Sequence, residues 1–154
     1  MSKVVKLSLA RLADAKQIAL MSRDLIEIGL HWKWTPAKIA AQIRCPDTVV
    51  VVARAQEPLI GFAIMHFFQE HAHLLLLAVA PSYQRSGTGR ELLEWLEKSA
   101  RVAGITTINL EVRAGNHGAR AFYRTLGYWN AQVVPGYYGR ESAVRMARTL
   151  RATY

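Results

Sequence analysis

Leu74-Leu75-Leu76-Leu77-Ala78-Val79-Ala80-Pro81, then Gln84-Arg85-Ser86-Gly87-Thr88-Gly89-Arg90, then Glu91-Leu92-Leu93, is the stretch on which the fold of this chain turns. An apolar run of strand length ends at Pro81, two glycines follow, and an amphipathic pattern begins, so the stretch reads strand, turn, helix. The first N–H groups of a helix have no intrahelical partner and sit at the positive end of its dipole. The loop from Gln84 to Arg90 is therefore a candidate anion cradle. Arg85 and Arg90 add formal charge beside it. The plainer alternative is a glycine-rich turn before an ordinary helix. Leu92, Leu93, Leu96, Ser99, Ala100 and Ala103 form one stripe of that helix. Arg90, Glu91, Glu94, Glu97, Lys98 and Arg101 fall on its other side, with Glu94/Lys98 and Glu97/Arg101 as i,i+4 pairs and Gly104 as the stop. Other phosphate loops fail on spacing. Gly89 is followed by Arg90-Glu91 where a P-loop needs Lys-Ser/Thr, and Leu92 stands where a dinucleotide fingerprint needs a third glycine.

Outward from this junction the same reasoning orders the rest of the chain. Residues 4–9 alternate as a strand, and Ile18, Met21, Leu25 and Ile28 recur at helical spacing until Gly29. Thr35-Pro36 is an N-cap and first-turn pair, Ile39, Ala40 and Ile43 give the short helix its apolar side, and Pro46 ends it. Trp32 and Trp34, in the connection between these helices, either plug the core or line a binding site. Residues 48–53, 59–67 and 73–80 predict an antiparallel meander with short hairpins. The helix over 87–103 then crosses over to a parallel strand at 106–112, so the sheet is mixed. A further helix at 116–126 carries Ala119, Phe122, Tyr123 and Leu126 on one stripe before Gly127. Strands at 128–134 and 142–150 finish the chain around a turn at Pro135-Gly136.

With 154 residues, 51% of them hydrophobic, the chain fits one compact domain over 1–154. No apolar run approaches the roughly 18 residues of a membrane span, and residues 1–12 lack the apolar core of a secretory signal, which predicts a cytoplasmic protein with no membrane partner. The single cysteine, Cys45, excludes an internal disulfide and a cysteine-based zinc cluster and, standing before Pro46 at a helix end, reads as structural. The net charge of +9 attracts anions in general. Coenzyme A, an acidic peptide and RNA would all respond to it. Apart from Arg140, Arg145, Arg148 and Arg151, the basic residues are dispersed, which disfavours direct nucleic-acid binding.

Gln84, Gly87 and Gly89 match the Q/R-x-x-G-x-G/A loop of the GNAT superfamily of N-acetyltransferases, and the stretch from Val79 to Leu93 resembles its acetyl-CoA-binding motif. The order of elements is similar along nearly the whole chain. Leu110-Glu111-Val112-Arg113-Ala114-Gly115-Asn116, then Ala119, Phe122-Tyr123 and Leu126-Gly127-Tyr128, resembles the bacterial ribosomal-protein-alanine N-acetyltransferases. Trp34-Thr35-Pro36, Gly136-Tyr137-Tyr138 and Gly139-Arg140-Glu141 point the same way, although that family usually has a few more residues between the tyrosine pair and the Gly-Arg-Glu run. The resemblance implies an α/β (α+β) domain, a mixed central sheet of about seven strands with about four helices on both faces. It also implies acetyl-CoA as cosubstrate, with its pyrophosphate held by the amides of Gln84, Arg85, Ser86, Gly87, Thr88, Gly89 and Arg90. The pantetheine arm and thioester carbonyl would lie along the backbone of Leu77, Ala78 and Val79.

Direct acetyl transfer to an amine needs a neutral nucleophile, a polarised carbonyl and a proton for the leaving thiolate. By resemblance Glu111 is the general base, acting directly or through water, Tyr123 the general acid, and Asn116 a coenzyme contact. Trp32, Trp34, Tyr137 and Tyr138 would flank a narrow substrate entrance. Each has a plainer reading. Glu111 is costly in an apolar strand unless hydrogen-bonded or functional, and Arg113 is a candidate salt-bridge partner. Tyr123 on an apolar stripe suits the core, and Asn116 suits an N-cap. His31, His66, His71, His73 and His117 show no metal-ligand spacing with a carboxylate, His71 and His73 read as surface residues, and no metal is expected. The favoured acceptor is the α-amine of a protein N-terminus such as that of a ribosomal protein. The alternatives are a small-molecule amine, polyamine or antibiotic, and a non-catalytic basic RNA- or ribosome-associated module.

Overall fold

The computed structural model describes residues 4–150; residues 1–3 and 151–154, and with them Arg151, lie outside the described part. The chain runs β1 (Val5–Leu9), α1 (Ala15–Met21), α2 (Pro36–Arg44), β2 (Thr48–Ala55), β3 (Leu59–Phe67), β4 (His71–Val79), α3 (Thr88–Val102), β5 (Thr107–Arg113), α4 (His117–Thr125), β6 (Trp129–Tyr138) and β7 (Glu141–Thr149). One seven-stranded sheet has the order β1-β2-β3-β4-β5-β7-β6. Among the described residues only β4 and β5 pair in parallel, because α3 is the crossover between them. This is the mixed sheet with four helices that the sequence predicts. Among the described residues no helix is long and apolar enough to cross a membrane.

Period-2 alternation sorts the strand residues onto two cores. On one face Leu92, Leu93 and Leu96 of α3 and Tyr123 of α4 pack with Val51, Met65, Leu74, Ile108, Leu110 and Met146. On the other face Ile18 of α1 and Ile39 of α2 pack with Val50, Val52, Phe62, Ile64, Leu76 and Ala78. Fully burying a Leu or Ile contributes about 1.5–3 kcal/mol, so these two layers hold the sheet rigid beneath the site.

Several local expectations change. The connection after α1 is a π-helical turn, Ser22–Ile26, closed by the buried Glu27. Thr35 occupies the N-cap of α2 and Pro36 its first turn, but the Thr35 side chain makes no capping hydrogen bond. Strand β6 does not stop at Pro135-Gly136. It bulges there, re-pairs at Tyr138↔Glu141, and turns at Gly139-Arg140. Proline lacks an N–H but suits the bulge of an edge strand, and β6 is the sheet edge. The surface ion pair of α3 is Arg90–Glu94 at 2.7 Å. Glu97, assigned to the polar side, is instead buried and accepts from Tyr128 Oη at 2.9 Å and Arg148 Nη1 at 2.8 Å.

Candidate active site

The loop before α3 is built to leave its amides open. Tyr83 and Gln84 donate their N–H groups to Ala80 and Pro81, closing a short turn, and Glu91 donates to the Gly87 carbonyl at 3.0 Å. Between them, no protein group among the described residues accepts the N–H of Arg85, Ser86, Gly87, Thr88, Gly89 or Arg90. Left-handed conformations at Arg85 (φ 60°) and Gly87 (φ 89°) bend the chain so that this run of donors borders the helix start. Such a nest of amides at the positive end of a helix fits a diphosphate. The two glycines do different work. A Cβ on Gly87 would meet nothing within 4 Å, so its role is conformational and leaves the approach open. A Cβ on Gly89 would come within 3.3 Å of Phe122 Cζ, so that glycine lets α3 pack against α4. Ser86 Oγ bonds the Tyr83 carbonyl, and Gln84 Nε2 donates to the Val79 carbonyl at 3.0 Å, tying the loop to β4. Arg90 is engaged with Glu94, while Arg85 is exposed beside the loop.

β4 opens away from β5 next to that loop. Pairing with β5 runs from His71↔Thr107 to Leu74↔Leu110 and ends. On its other edge β4 stays bonded to β3, with a register shift that leaves Leu75 as the extra residue between Leu74 and Leu76. A bulge bends its strand, and this one falls where the two strands part. Ala80 donates to the Ile60 carbonyl at 2.7 Å, so ladder alternation turns the amides of Ala78 and Leu76 towards β3 and those of Leu77 and Val79 into the opening. Of the three backbone positions expected along the coenzyme arm, Leu77 and Val79 face the splay. The Ala78 amide does not.

Glu111 stands across the splay on β5. Its side chain is 6% exposed and held by two partners that the sequence left unassigned. Arg145 of β7, directly opposite in register, places Nε and Nη2 each 2.9 Å from Oε1. His73 of β4 places Nε2 2.5 Å from Oε2. Burial raises the carboxyl, but the His73 hydrogen bond and charge and then those of Arg145 outweigh it, and Glu111 lies below the ordinary glutamate value. His73 is thus half-buried in the site, while His71 is exposed and stacks on Phe68. Arg113, the candidate partner of Glu111 under the plainer reading, donates instead to the carbonyls of Ile26 and Ile28 at 3.0 and 2.7 Å and lies over the Tyr138 ring.

Tyr123 reaches the same region from the opposite face of the sheet. It is 8% exposed, packs edge-on against Phe122 and Tyr128, and its hydroxyl bonds no protein group among the described residues. Burial, reinforced by Tyr138, pushes its phenol well above the ordinary value. Asn116 caps α4, its Oδ1 accepting from the Ala119 amide at 3.1 Å. Around the rim, Tyr138 is pushed up to about 12 by burial, then by Tyr137 and Glu111, whereas Tyr137 is half exposed. Trp32 and Trp34 are partly buried against the α1/α2 core, under Arg23 and beside Lys33 respectively. Their loop is held by Glu27, which accepts from the Lys33 and Trp34 amides at 2.8 and 3.2 Å. His73, Arg145, Arg113 and Glu27 were missed as site residues. Alternation was an available signal for two of them: His73 shares its register on β4 with the exposed His71, and Arg113 shares its register on β5 with Asn109 and Glu111, whereas Arg145 shares its own with the buried Ala143 and Ala147.

The arrangement has relatives among known proteins. Residues 18–128 match the acetyltransferase (GNAT) family model. The chain is 44% identical over 91 residues to the [ribosomal protein bS18]-alanine N-acetyltransferase of Escherichia coli strain K12, covering 56% of this chain and 62% of that protein. The chain thus spans somewhat under two thirds of that relative. It is 33% identical over 132 residues to the N-alpha-acetyltransferase RimI of Mycobacterium tuberculosis, covering 82% of this chain and 79% of that one. The crystal structure of the ribosomal-protein-S18-alanine N-acetyltransferase from Escherichia coli superposes with a TM-score of 0.83 at 29% identity, covering 98% and 97% of the two chains. This chain belongs to the acetyltransferase (GNAT) family.

Proposed function

We propose that this protein transfers the acetyl group of acetyl-CoA directly to the N-terminal α-amine of a protein, with a ribosomal protein as the foremost substrate. The observation that carries the reading is a run of unpartnered backbone amides beside the point where β4 and β5 stop pairing. An unpartnered amide cradle leads into a splay lined by the Leu77 and Val79 amides and faced by Glu111. Acetyl-CoA supplies an activated acyl group on a thiolate leaving group. The chain supplies the rest. The amides of residues 85–90 hold the diphosphate, Asn116 lies at the α4 side of the site, and the amides of Leu77 and Val79 polarise the carbonyl. Arg145 fills the two acceptor positions of Oε1 and His73 takes one on Oε2. A carboxylate presents about four such positions, so one stays free on Oε2 to take the amine proton, directly or through water. Tyr123, kept neutral by burial, donates its hydroxyl proton towards the sulfur.

The choice of an α-amine follows from proton affinity. A reference pKa near ~7.7–8.0 leaves it partly neutral at physiological pH, while lysine near ~10.4 is protonated, a handicap of roughly 3 kcal/mol. A carboxylate held below its usual range is a weak base and suits the easier of these two amines. Trp32, Trp34, Tyr137 and Tyr138 form the rim that an extended N-terminus would cross. The name of the Escherichia coli relative supports the ribosomal substrate, and a cytoplasmic location agrees with it. Peptides with a free small first residue should be acetylated, and N-terminally blocked peptides with internal lysines should not. Tyr138→Ala should raise KM for peptide more than for acetyl-CoA. Turnover confined to polyamines or aminoglycosides would replace the peptide acceptor by a small-molecule amine.

A further inference from the structure

His73 occupies the polar register of β4, one residue before β4 leaves β5, and lies outside the stretch from Val79 to Leu93 that carries the family loop. Its surroundings are defined on every side. Glu111 and Asn109 approach from β5, and Arg145 reaches Glu111 from β7. His66 lies directly across on β3, with its Nδ1 2.8 Å from Thr48 Oγ1 of β2. Arg113 is two residues along β5, and Tyr137 of β6 is near enough for Glu111 to act on its phenol. The turn Ser22–Ile26, which packs on β4, carries Arg23 and Asp24 paired with each other. Of all these groups, only Glu111 bonds the His73 ring.

The acceptor positions of Glu111 give this contact its meaning. Arg145 saturates Oε1, so a proton arriving at Glu111 lands on Oε2, the oxygen that His73 Nε2 holds. A histidine ring with one nitrogen bonded to a carboxylate is fixed in orientation, and it fixes the carboxylate in return. His73 is also 25% exposed, so protons from solvent reach the ring.

We propose that His73 is a positioning residue for acetyl transfer, acting through Glu111. It holds Oε2 at the mouth of the splay in the ionised form that takes up the amine proton. The inference rests on the acetyltransferase reading for its kinetic consequence, while the pairing itself is testable without turnover.

The experiment compares His73→Leu, which removes the hydrogen bond, with His73→Gln, which retains a donor and removes the imidazole ring. In the whole protein, the Glu111 carboxyl carbon is followed by NMR against pH alongside pH profiles of kcat/KM for a peptide amine. His73→Leu should lower kcat about 10- to 100-fold, with KM for acetyl-CoA unchanged, because a carboxylate displaced by about 1 Å loses its alignment. His73→Gln should recover most of kcat. In both variants the Glu111 titration and the acidic limb should move to higher pH, since a group that stabilises the carboxylate has gone. If the Glu111 titration stays where it is in both variants, the pair is not coupled and the inference is overturned. It is also overturned if the titration moves while kcat and the acidic limb do not. A wild-type protein that acetylates no amine would instead remove the acetyltransferase reading, and the carboxyl titration would still decide the pairing.

Discussion

β4 is one strand in two halves, and the halves do opposite things with the same residues. His71 to Leu74 pair with β5 on one edge, and on the other Ala72 to Leu74 pair with β3 while the His71 carbonyl accepts from the Phe68 amide, so this half is held from both sides. From Leu75 to Val79 the strand keeps β3 and gives up β5, leaving Leu77 and Val79 with amides aimed into an opening. Unsatisfied backbone donors inside a protein are costly, and those left beside an opening are available to a ligand. The difference between halves is made by one extra residue at Leu75 and by the early end of the pairing with β5. It owes nothing to side-chain chemistry, since leucines stand on both sides of the divide.

The comparison breaks first at the chemistry beside the open half. Glu111→Gln should lower kcat by about 10²- to 10⁴-fold with coenzyme affinity little changed, read by steady-state kinetics and calorimetry. Near-normal turnover would reduce Glu111 to a strand ion pair with Arg145. Tyr123→Phe should cost about 10²-fold in kcat and leave the basic limb of the profile in place, since burial keeps the phenol neutral well above its ordinary value. The two glycines sharpen the comparison at the cradle. Gly87→Ala forces a side chain into the left-handed region at about 1–2 kcal/mol, and relief by moving the loop should weaken coenzyme A binding by about tenfold. Gly89→Val should instead act on packing, because its side chain meets Phe122. About 1–3 kcal/mol of overpacking should appear as a Tm lowered by several degrees. Equal effects of the two changes on Tm and on affinity would mean the loop and the helix contact are not separable.

The smallest effect concerns pH and stability. Glu111 is lowered in the folded state, so its ionised form stabilises the fold above the unfolded value near ~4.3, and that contribution is lost as pH falls through the folded value. The stability difference between wild type and Glu111→Gln should therefore stay constant above about pH 6 and shrink on acidification below about pH 4. A difference that grows on acidification would contradict the ion-pair geometry.

Much of this was legible in the residues, and the misses share a cause. Pro81, Gly87 and the stripe of Leu92, Leu93 and Leu96 fixed the strand–turn–helix junction because each has a local physical meaning. Asn116 could be read as a cap for the same reason, and it is one. Pairing across the sheet has no such local mark. Nothing in the run of leucines from 74 to 77 says where β5 lets go, and the sequence offers only Arg113 as an ionic partner for Glu111, whereas register puts Arg145 opposite it. His73 was read as surface because it follows a hairpin, yet parallel pairing brings Glu111 to it. Pro135-Gly136 looked like a turn and proved to be a bulge, since edge strands tolerate what central strands do not.

The central claim, that the open half of β4 and the amides before α3 form one coenzyme site, is tested most directly by following backbone amide resonances during titration with coenzyme A. The account predicts saturable shifts at Leu77, Val79 and Arg85 to Arg90, small ones at Ala78, and none beyond noise at His71 to Ala72. Shifts confined to some other surface, or as large in the paired half of β4 as in the open half, would contradict it.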